Sequence, residues 1–334
     1  MKNIYKILFF VMLISSTILS ISSLSWIMMW IGLEINLLSI MPLMKKFSNK
    51  YSSEATIKYF IIQAMASALM LFSIVIFVDN ESKNELIYSS STILNSAFLI
   101  KLGAAPFHFW LPEIVSGMNW EMIFILLTWQ KIAPLILLSY NMNIFFLSMI
   151  VMFSSLISGM QGLNQTCLRK IMAYSSINHM SWMISAMMNS MTIWMYYFII
   201  YCLINMNIIL IMKIYKIIFL NQLSKLFSFN KKMKFFYMMN FLSLAGLPPF
   251  LGFFPKWLTL NFMILNKHFI ISIMMIIFTL ISIYFYLRIS FSTLSMNQEE
   301  SMINKNKKLM FMYMYMNFLS LSSLMICSIT SNLF

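Results

Sequence analysis

Residues 101–113 read KLGAAPFHFWLPE, and residues 244–256 read LAGLPPFLGFFPK. Four positions match in register between the two segments: Gly103 with Gly246, Pro106 with Pro249, Phe107 with Phe250, and Pro112 with Pro255. A proline inside a helix removes one backbone hydrogen bond and clashes with the preceding turn. Each segment therefore predicts an interrupted helix, unless the match is a coincidence between two stretches that contain glycine and proline.

The composition of the chain is that of a membrane protein. Hydrophobic residues make up 61% of its 334 residues and charged residues 10%, and the mean hydropathy is +0.83. Soluble domains carry about 25% charged residues. Each span needs roughly 20 apolar residues, so the length accommodates about ten to twelve spans and excludes a soluble catalytic domain on a single anchor. The net charge of +14 is therefore not interpreted as nucleic-acid binding.

The apolar runs predict an all-α polytopic membrane protein with about 11 transmembrane helices. A secretory signal is not expected at the N-terminus, because Ser22–Trp26 is a poor cleavage site and a second span follows at once. The expected helices are 4–23, 25–44, 54–78, 86–105, 121–140, 143–165, 169–189, 192–213, 234–265, 269–294 and 309–331.

The interrupted helices are the fourth and the ninth of this series, so they cross the membrane in opposite directions. Matched broken helices of opposite direction are typical of inverted-topology repeats, whose transport site lies near the membrane midplane. We therefore predict inverted repeats within a single transmembrane domain, 1–334, and the resemblance described below implies that they are antiporter-like. The first repeat would cover about 1–140, the second about 143–294, and a terminal helix about 309–331.

Eleven crossings also sort the basic residues by side. Nearly all lysines and arginines outside the spans fall on the side of the N-terminus, whereas Lys83 and Lys267 fall on the opposite side. By the positive-inside rule the N-terminus then faces the cytoplasm or the mitochondrial matrix. An odd number of spans places the C-terminus on the other side.

The sequence contains no recognisable cofactor or metal motif. Neither G-x-G-x-x-G nor G-x-x-x-x-G-K-[ST] occurs, and these are the motifs whose backbone cradles nucleotide phosphates. Cys167, Cys202 and Cys327 lie far apart, whereas iron–sulfur and zinc sites need clustered thiolates. The 36 methionines occur throughout the chain, which indicates compositional bias rather than a copper-binding stripe.

Four of the charged residues in the predicted spans lie at mid-span or next to a predicted break. An ionised group at mid-bilayer costs about 2.5–3.5 kcal/mol even on the lenient insertion scale. Glu34 and Lys131 lie mid-span with no opposite charge one turn away, so any partner must come from another helix. Lys101 precedes the first break, and Lys256 follows the second. Such buried groups suggest proton transfer, although static ion pairs that fix the helix register are the alternative.

Two histidines extend this series. His108 lies within the first break, and His179 lies mid-helix, where a core histidine with satisfied hydrogen bonds is the alternative interpretation. Glu54 and Lys58, in contrast, are four residues apart near a helix start. We assign this pair to local structure, because residues at that spacing can pair on one helix face.

The most distinctive motifs of the chain are Gly32–Asn36, Lys101–Trp110, Thr128–Pro134, Gly162–Lys170 and Leu247–Trp257. Together they resemble the antiporter-like membrane-arm subunits of mitochondrial NADH–ubiquinone oxidoreductase, respiratory complex I. The resemblance spans most of the chain and is weak around 79–95, over 216–233 and past 295. Bacterial members of that family begin with three further helices, so Glu34 lies on the second helix here.

The resemblance implies a proton relay near the membrane midplane. Its members would be the coupled pair Glu34 and Lys101, the central lysine Lys131, the distal lysine Lys256, and the linking histidines His108 and His179. It implies that flavin, iron–sulfur clusters, NADH and ubiquinone belong to other subunits and that this chain binds no cofactor. Expected partners are other membrane-arm subunits, neighbouring antiporter-like chains among them, and phospholipids. The expected location is the mitochondrial inner membrane, with the N-terminus on the matrix side and the C-terminus on the intermembrane-space side.

We therefore predict a proton-translocating core subunit, in which NADH:ubiquinone electron transfer by other subunits drives protonation changes along the relay. Two alternatives stay open. One is a stand-alone cation/proton antiporter, which would exchange ions when isolated alone. The other is a structural membrane scaffold that transmits conformational change without moving protons, which would tolerate neutralisation of Glu34 and Lys131 together.

Overall fold

A computed structural model of the chain describes residues 4–45, 49–79, 84–227 and 231–294. Apart from an isolated bridge between Cys167 and Phe219, the regular structure of this part of the chain is α-helical, which confirms the all-α prediction. The predicted helix at 309–331 lies outside the described residues. The helices are α1 (Ile4–Ser22), α2 (Trp26–Met44), α3 (Lys50–Asp79), α4 (Asn84–Leu102), α5 (Trp110–Gly117), α6 (Trp120–Leu127), α7 (Trp129–Tyr140), α8 (Ile144–Leu163), α9 (Leu168–Asn189), α10 (Met191–Tyr215), α11 (Leu220–Phe227), α12 (Lys231–Ala245), α13 (Phe253–Leu265) and α14 (Phe269–Leu294).

Seven helical spans of the described chain are long and apolar enough to cross a membrane: α1, α2, α3, α6 with α7, α8, α10 and α14. The half-helices α12 and α13 are apolar but shorter. Helix α9 is long but rich in serine, asparagine and histidine, and nearly all of its residues are buried. Burial against neighbouring helices shields these polar groups from lipid, as membrane proteins require.

The first predicted break is present, and glycine chemistry explains it. Helix α4 ends before Gly103, which has a φ of +71°. The backbone N–H of Gly103 donates to the Ile100 carbonyl at 3.2 Å, and that of Ala104 donates to the Leu99 carbonyl at 3.1 Å. These two bonds form a Schellman motif, in which a left-handed residue, usually glycine, closes the helix. Helix α5 then resumes at Trp110.

The second predicted break uses the same motif. Gly246 has a φ of +79°, its N–H donates to the Ser243 carbonyl at 3.0 Å, and the Leu247 N–H donates to the Leu242 carbonyl at 3.4 Å. Helix α12 ends there, and α13 begins at Phe253. The glycines that match in sequence therefore end their helices in the same way.

A third interruption corrects the prediction of one continuous helix over 121–140. Helix α6 ends at Leu127 and α7 begins at Trp129. Pro134 lacks the N–H that would bond the carbonyl four residues earlier, and the Thr128 Oγ1 donates to the Phe124 carbonyl at 2.6 Å, a bond that bends helices. Helices α5 and α11 were also absent from the prediction, because each has eight residues and is too short to be found as a span.

The chain divides after Ile150 into two compact units. In the first, α1 packs along α2, α3 contacts α2, α4 and α5, and α7 contacts α1, α4 and α6. A Cβ added at Gly32 would lie 2.8 Å from the Cβ of Ser20, so glycine permits the close approach of α1 and α2. The predicted repeat boundaries stay a prediction.

In the second unit, α9 contacts α10, α13 and α14, and α12 contacts α10 and α14. The end of α8 is held by Arg288 of α14, whose guanidinium donates to the carbonyls of Leu163 and of Gln165, the latter at 2.8 Å. Helix ends leave carbonyls without helical partners, so this arginine both caps α8 and fixes α14 against it.

Candidate functional site

Lys101 occupies the last turn of α4 and is only 8% exposed. Ala97, Ala104 and Ala105 around it are fully buried, which lets neighbouring helices come close. The Glu34 carboxylate acts on the Lys101 ammonium electrostatically. Within the described chain, Lys101 forms no hydrogen bond and no ion pair within 4 Å. The two groups thus attract each other across a gap rather than in direct contact.

Glu34 lies in the middle of α2. Its Oε1 atom is buried and has no hydrogen-bond partner among the described residues. The same is true of the Trp30 Nε1 atom, which lies one turn earlier. Lys101, with which this carboxylate interacts electrostatically, belongs to another helix, α4. A buried carboxylate oxygen without a donor is costly.

A small polar cavity lies beside Lys101. The space open to the centre of a water molecule is about 20 Å³, and a single water needs at least about 10–15 Å³ measured in this way. The cavity can therefore hold one ordered water. Its lining residues are Leu33, Asn36, Leu37, Tyr59, Gln63, Lys101, Gln130 and Pro134.

Lys131 is 2% exposed and lies in the first turn of α7, directly after the interruption. Its backbone N–H donates to the Thr128 carbonyl at 3.2 Å.

His108 lies in the first break and is buried. Its Nδ1 is 3.3 Å from the Pro106 carbonyl oxygen, and because a carbonyl only accepts, Nδ1 carries the hydrogen in that bond.

Lys256 lies in the first turn of α13 and is 6% exposed. Its Nζ donates to the Ala245 carbonyl at 2.9 Å and to the Leu244 carbonyl at 3.4 Å. These carbonyls end α12, where the helix dipole is negative and attracts a cation. The Nζ also lies 5.8 Å from the centre of the Trp182 ring, within the range of cation–π attraction.

His179 is buried in the middle of α9. Its Nδ1 lies 2.9 Å from the Tyr197 hydroxyl, and its ring centre lies 5.1 Å from that of Tyr201. Both tyrosines belong to α10 and are buried. One turn along α9 from His179 is Trp182, the ring beneath Lys256. Helix α9 thus carries both His179 and the tryptophan ring that lies near Lys256.

Several polar residues at these sites were missed in the sequence. Asn36 and Gln130 lie within the motifs quoted above, two positions after Glu34 and one before Lys131, but their neutral side chains gave no signal of their own. Tyr59 and Tyr197 are indistinguishable in sequence from the many other aromatic residues. Lys58 binds Glu54 at 3.0 Å, as predicted, and also binds Glu113 of α5 at 3.0 Å. That second partner was not foreseen.

The described residues contain no group of three or more His, Cys, Asp or Glu side chains that could hold a metal ion. The charged groups of the site include three buried lysines, Lys101, Lys131 and Lys256. Chemically, such groups can bind, hold and release protons.

Comparison with known sequences gives one consistent result. The profile of the NADH:quinone oxidoreductase/Mrp antiporter transmembrane family matches residues 23–282. NADH-ubiquinone oxidoreductase chain 2 of Anopheles gambiae is 44% identical over 337 residues, which cover 98% of this chain and 98% of that protein. The protein of the same name from Locusta migratoria is 43% identical, with 99% and 97% covered. That of Lemur catta is 38% identical, with 86% and 85% covered.

Solved structures show the same fold. A chain of respiratory complex I from Thermus thermophilus superposes with a TM-score of 0.86 at 21% identity, covering 96% of this chain and 78% of that one. A chain of the Mrp complex from Dietzia sp. DQ12-45-1b superposes with a TM-score of 0.77 at 14% identity, covering 87% and 60%. The antiporter-like fold that the resemblance implies is confirmed.

Proposed function

Because the chain belongs to the NADH:quinone oxidoreductase/Mrp antiporter transmembrane family, we propose that it is a proton-translocating core subunit in the membrane arm of mitochondrial complex I. The full-length similarity to proteins named NADH-ubiquinone oxidoreductase chain 2 supports this assignment. Electron transfer from NADH to ubiquinone takes place in other subunits, which bind the flavin, the iron–sulfur clusters and both substrates. This chain contributes the proton-moving part of the reaction.

The observation that carries the proposal is the pair Glu34 and Lys101. Their opposite charges act on each other inside a membrane protein yet form no direct ion pair. A tight buried ion pair would be expected if the two groups only fixed the helix register. In a pair held apart, each group can still bind or release a proton. Because a nearby opposite charge favours the charged form of its neighbour, a change of protonation on one group changes the proton affinity of the other.

The magnitudes are sufficient for pumping. A change of about 3 units in proton affinity corresponds to roughly 4 kcal/mol, whereas moving one charge against the membrane potential costs about 2.3 kcal/mol per 100 mV. In the first unit the proton would pass between Glu34, Lys101 and Lys131, with His108 in the adjacent break. In the second unit His179 and Lys256 would hold it before release on the far side.

The remaining expectations follow from the same proposal. The partners are other membrane-arm subunits, neighbouring antiporter-like chains and phospholipids, with no nucleic acid. The chain lies in the mitochondrial inner membrane, with the N-terminus on the matrix side and the C-terminus on the intermembrane-space side.

The broken-helix fold also occurs in the Mrp complex, so a stand-alone cation/proton antiporter is the second candidate. Exchange activity of the isolated chain in liposomes would favour it.

The decisive experiment is Lys131→Ala in the assembled complex. Lys131 is buried, and we expect its loss to lower NADH-driven proton pumping at least about tenfold, as removal of a proton-transfer group typically costs, while the complex still assembles. The matched control is Lys267→Ala, which removes an exposed loop lysine and should leave pumping unchanged. Normal pumping by Lys131→Ala would reject the relay and favour the scaffold alternative.

A further inference from the structure

A chain of three neutral side chains joins α2, which carries Glu34, and α7, which carries Lys131, to α3. The Gln130 Nε2 of α7 donates to the Asn36 Oδ1 of α2 at 2.9 Å. The Tyr59 hydroxyl of α3 donates to the Gln130 Oε1 at 3.5 Å. The Gln130 side chain thus contacts α2 through its amide nitrogen and α3 through its amide oxygen.

The positions of this chain relative to the charged residues are specific. Asn36 lies two residues after Glu34, and Gln130 lies directly before Lys131. Because Pro134 has no N–H, the Gln130 carbonyl also lacks its normal helical donor. The backbone of α7 is therefore held less firmly by its own helical bonds at this point. A side-chain bond from Gln130 to α2 replaces part of that constraint.

The same residues form the polar wall of the cavity beside Lys101. Asn36, Tyr59 and Gln130 all line it. So does Gln63, which is 5% exposed and whose Nε2 has no hydrogen-bond partner among the described residues. A buried amide donor without a partner, facing a cavity large enough for one water, is a binding site for that water. The amide chain fixes the shape of this site.

We infer that Gln130 is a positioning residue for proton transfer at Lys101. Through its bond to Asn36 it holds the helix of Glu34 against the helix of Lys131, and it keeps the water-sized cavity between them open to the Lys101 ammonium. The inference rests on the proposed function. It assigns a role to neutral residues that neither gain nor lose charge themselves.

The test is a set of variants in the assembled complex: Gln130→Leu, Asn36→Leu, both together, and the reciprocal exchange Asn36→Gln with Gln130→Asn. Leucine has a similar size but cannot form the amide bond. A displacement of about 1 Å at a reacting group can cost up to about 100-fold in rate, so we expect each leucine variant to lower NADH-driven pumping between about 10- and 100-fold. The double leucine variant should be no worse than either single one. The exchange, which conserves the combined side-chain length and the bond, should restore at least half of the pumping rate.

The amount of assembled complex is measured in parallel, with Asn143→Leu as a control. Asn143 also bonds across the unit, accepting from the Tyr88 hydroxyl at 3.3 Å, but lies away from the cavity, and its variant should pump normally. Leucine variants that assemble and pump normally would overturn the inference. The inference would also be overturned if the double leucine variant lost as much pumping as the product of the two single losses. Failure of the reciprocal exchange to restore pumping would overturn it as well. If Lys131→Ala itself pumps normally, the proposed function fails first, so the two failures are distinguishable.

Discussion

The two helix breaks have the same backbone geometry, but the lysine beside each break has different neighbours. In each, a glycine at positive φ ends the first half-helix. Lys101 lies on the half before its break, and the Glu34 carboxylate acts on it electrostatically. Lys256 lies on the half after its break and binds the carbonyls that end the half before it. The charge at the first break is thus balanced by a titratable side chain, and the charge at the second by backbone dipoles.

This difference means that the electrostatic attraction on each lysine would change for a different reason. A carboxylate can bind a proton and lose its charge, whereas a carbonyl cannot. The attraction on Lys101 therefore depends on the protonation of Glu34. The attraction on Lys256 changes only if the end of α12 moves relative to α13. In our proposal the first site responds to a neighbouring proton and the second to backbone geometry.

The largest effect is expected from Gly246→Ala. Its φ of +79° disfavours alanine by about 1–2 kcal/mol. The added Cβ would also lie 2.8 Å from the Lys256 Cδ and 2.9 Å from its Nζ, which adds an overpacking cost of about 1–3 kcal/mol. We expect a total destabilisation of about 3 kcal/mol and displacement of Lys256. The thermal denaturation midpoint and the pumping rate of the assembled complex measure the two effects.

Gly103→Ala is the matched control for that variant. Its φ is also positive, at +71°, but its Cβ would meet the Leu111 Cδ1 at 2.8 Å rather than a lysine. It should therefore destabilise the chain to a similar degree and lower pumping less. Equal losses of pumping at equal stability would contradict the claim that Gly246 makes room for the Lys256 ammonium.

Sequence alone predicts those features that depend on local backbone chemistry. The prolines of the two matched segments predict both breaks, and the structure shows that Gly103 and Gly246, each at positive φ, end the helices there. The interruption at Thr128 was missed, since it depends on a threonine side chain bonding its own helix. The Gln130–Asn36 bond joins residues 94 positions apart, and only the packing of α7 near α2 creates it. The resemblance already implied Glu34 as the partner of Lys101, whereas the backbone carbonyls that bind Lys256 were not foreseen.

The next largest effect is expected from Lys101→Met. Removing the cation leaves the buried Glu34 carboxylate without the charge that acts on it, and a buried polar group that loses its partner costs about 1–3 kcal/mol. The double variant Lys101→Met with Glu34→Gln should regain most of that stability, because no uncompensated charge remains. Thermal denaturation midpoints of the assembled complexes compare the two.

Lys256→Met is the counterpart in the second unit. Among the described residues no carboxylate acts on Lys256, so its removal should destabilise the complex less than Lys101→Met, and Glu34→Gln should not rescue it. Rescue of both methionine variants by Glu34→Gln would show that the carboxylate acts on both lysines, and the distinction between the two breaks would be lost.

The smallest effect is expected from replacing the aromatic ring near Lys256. Trp182 is buried, and its ring centre lies 5.8 Å from the Lys256 Nζ. A cation–π contact contributes about 0.5–2 kcal/mol, most with tryptophan. Trp182→Phe keeps a ring, so we expect a loss of about 1 kcal/mol or less, whereas Trp182→Leu should lose more. Each is measured again in a Lys256→Met background, where the difference between Phe and Leu should shrink because the cation is absent. If the difference persists there, the ring only fills space, and backbone carbonyls alone hold the second lysine.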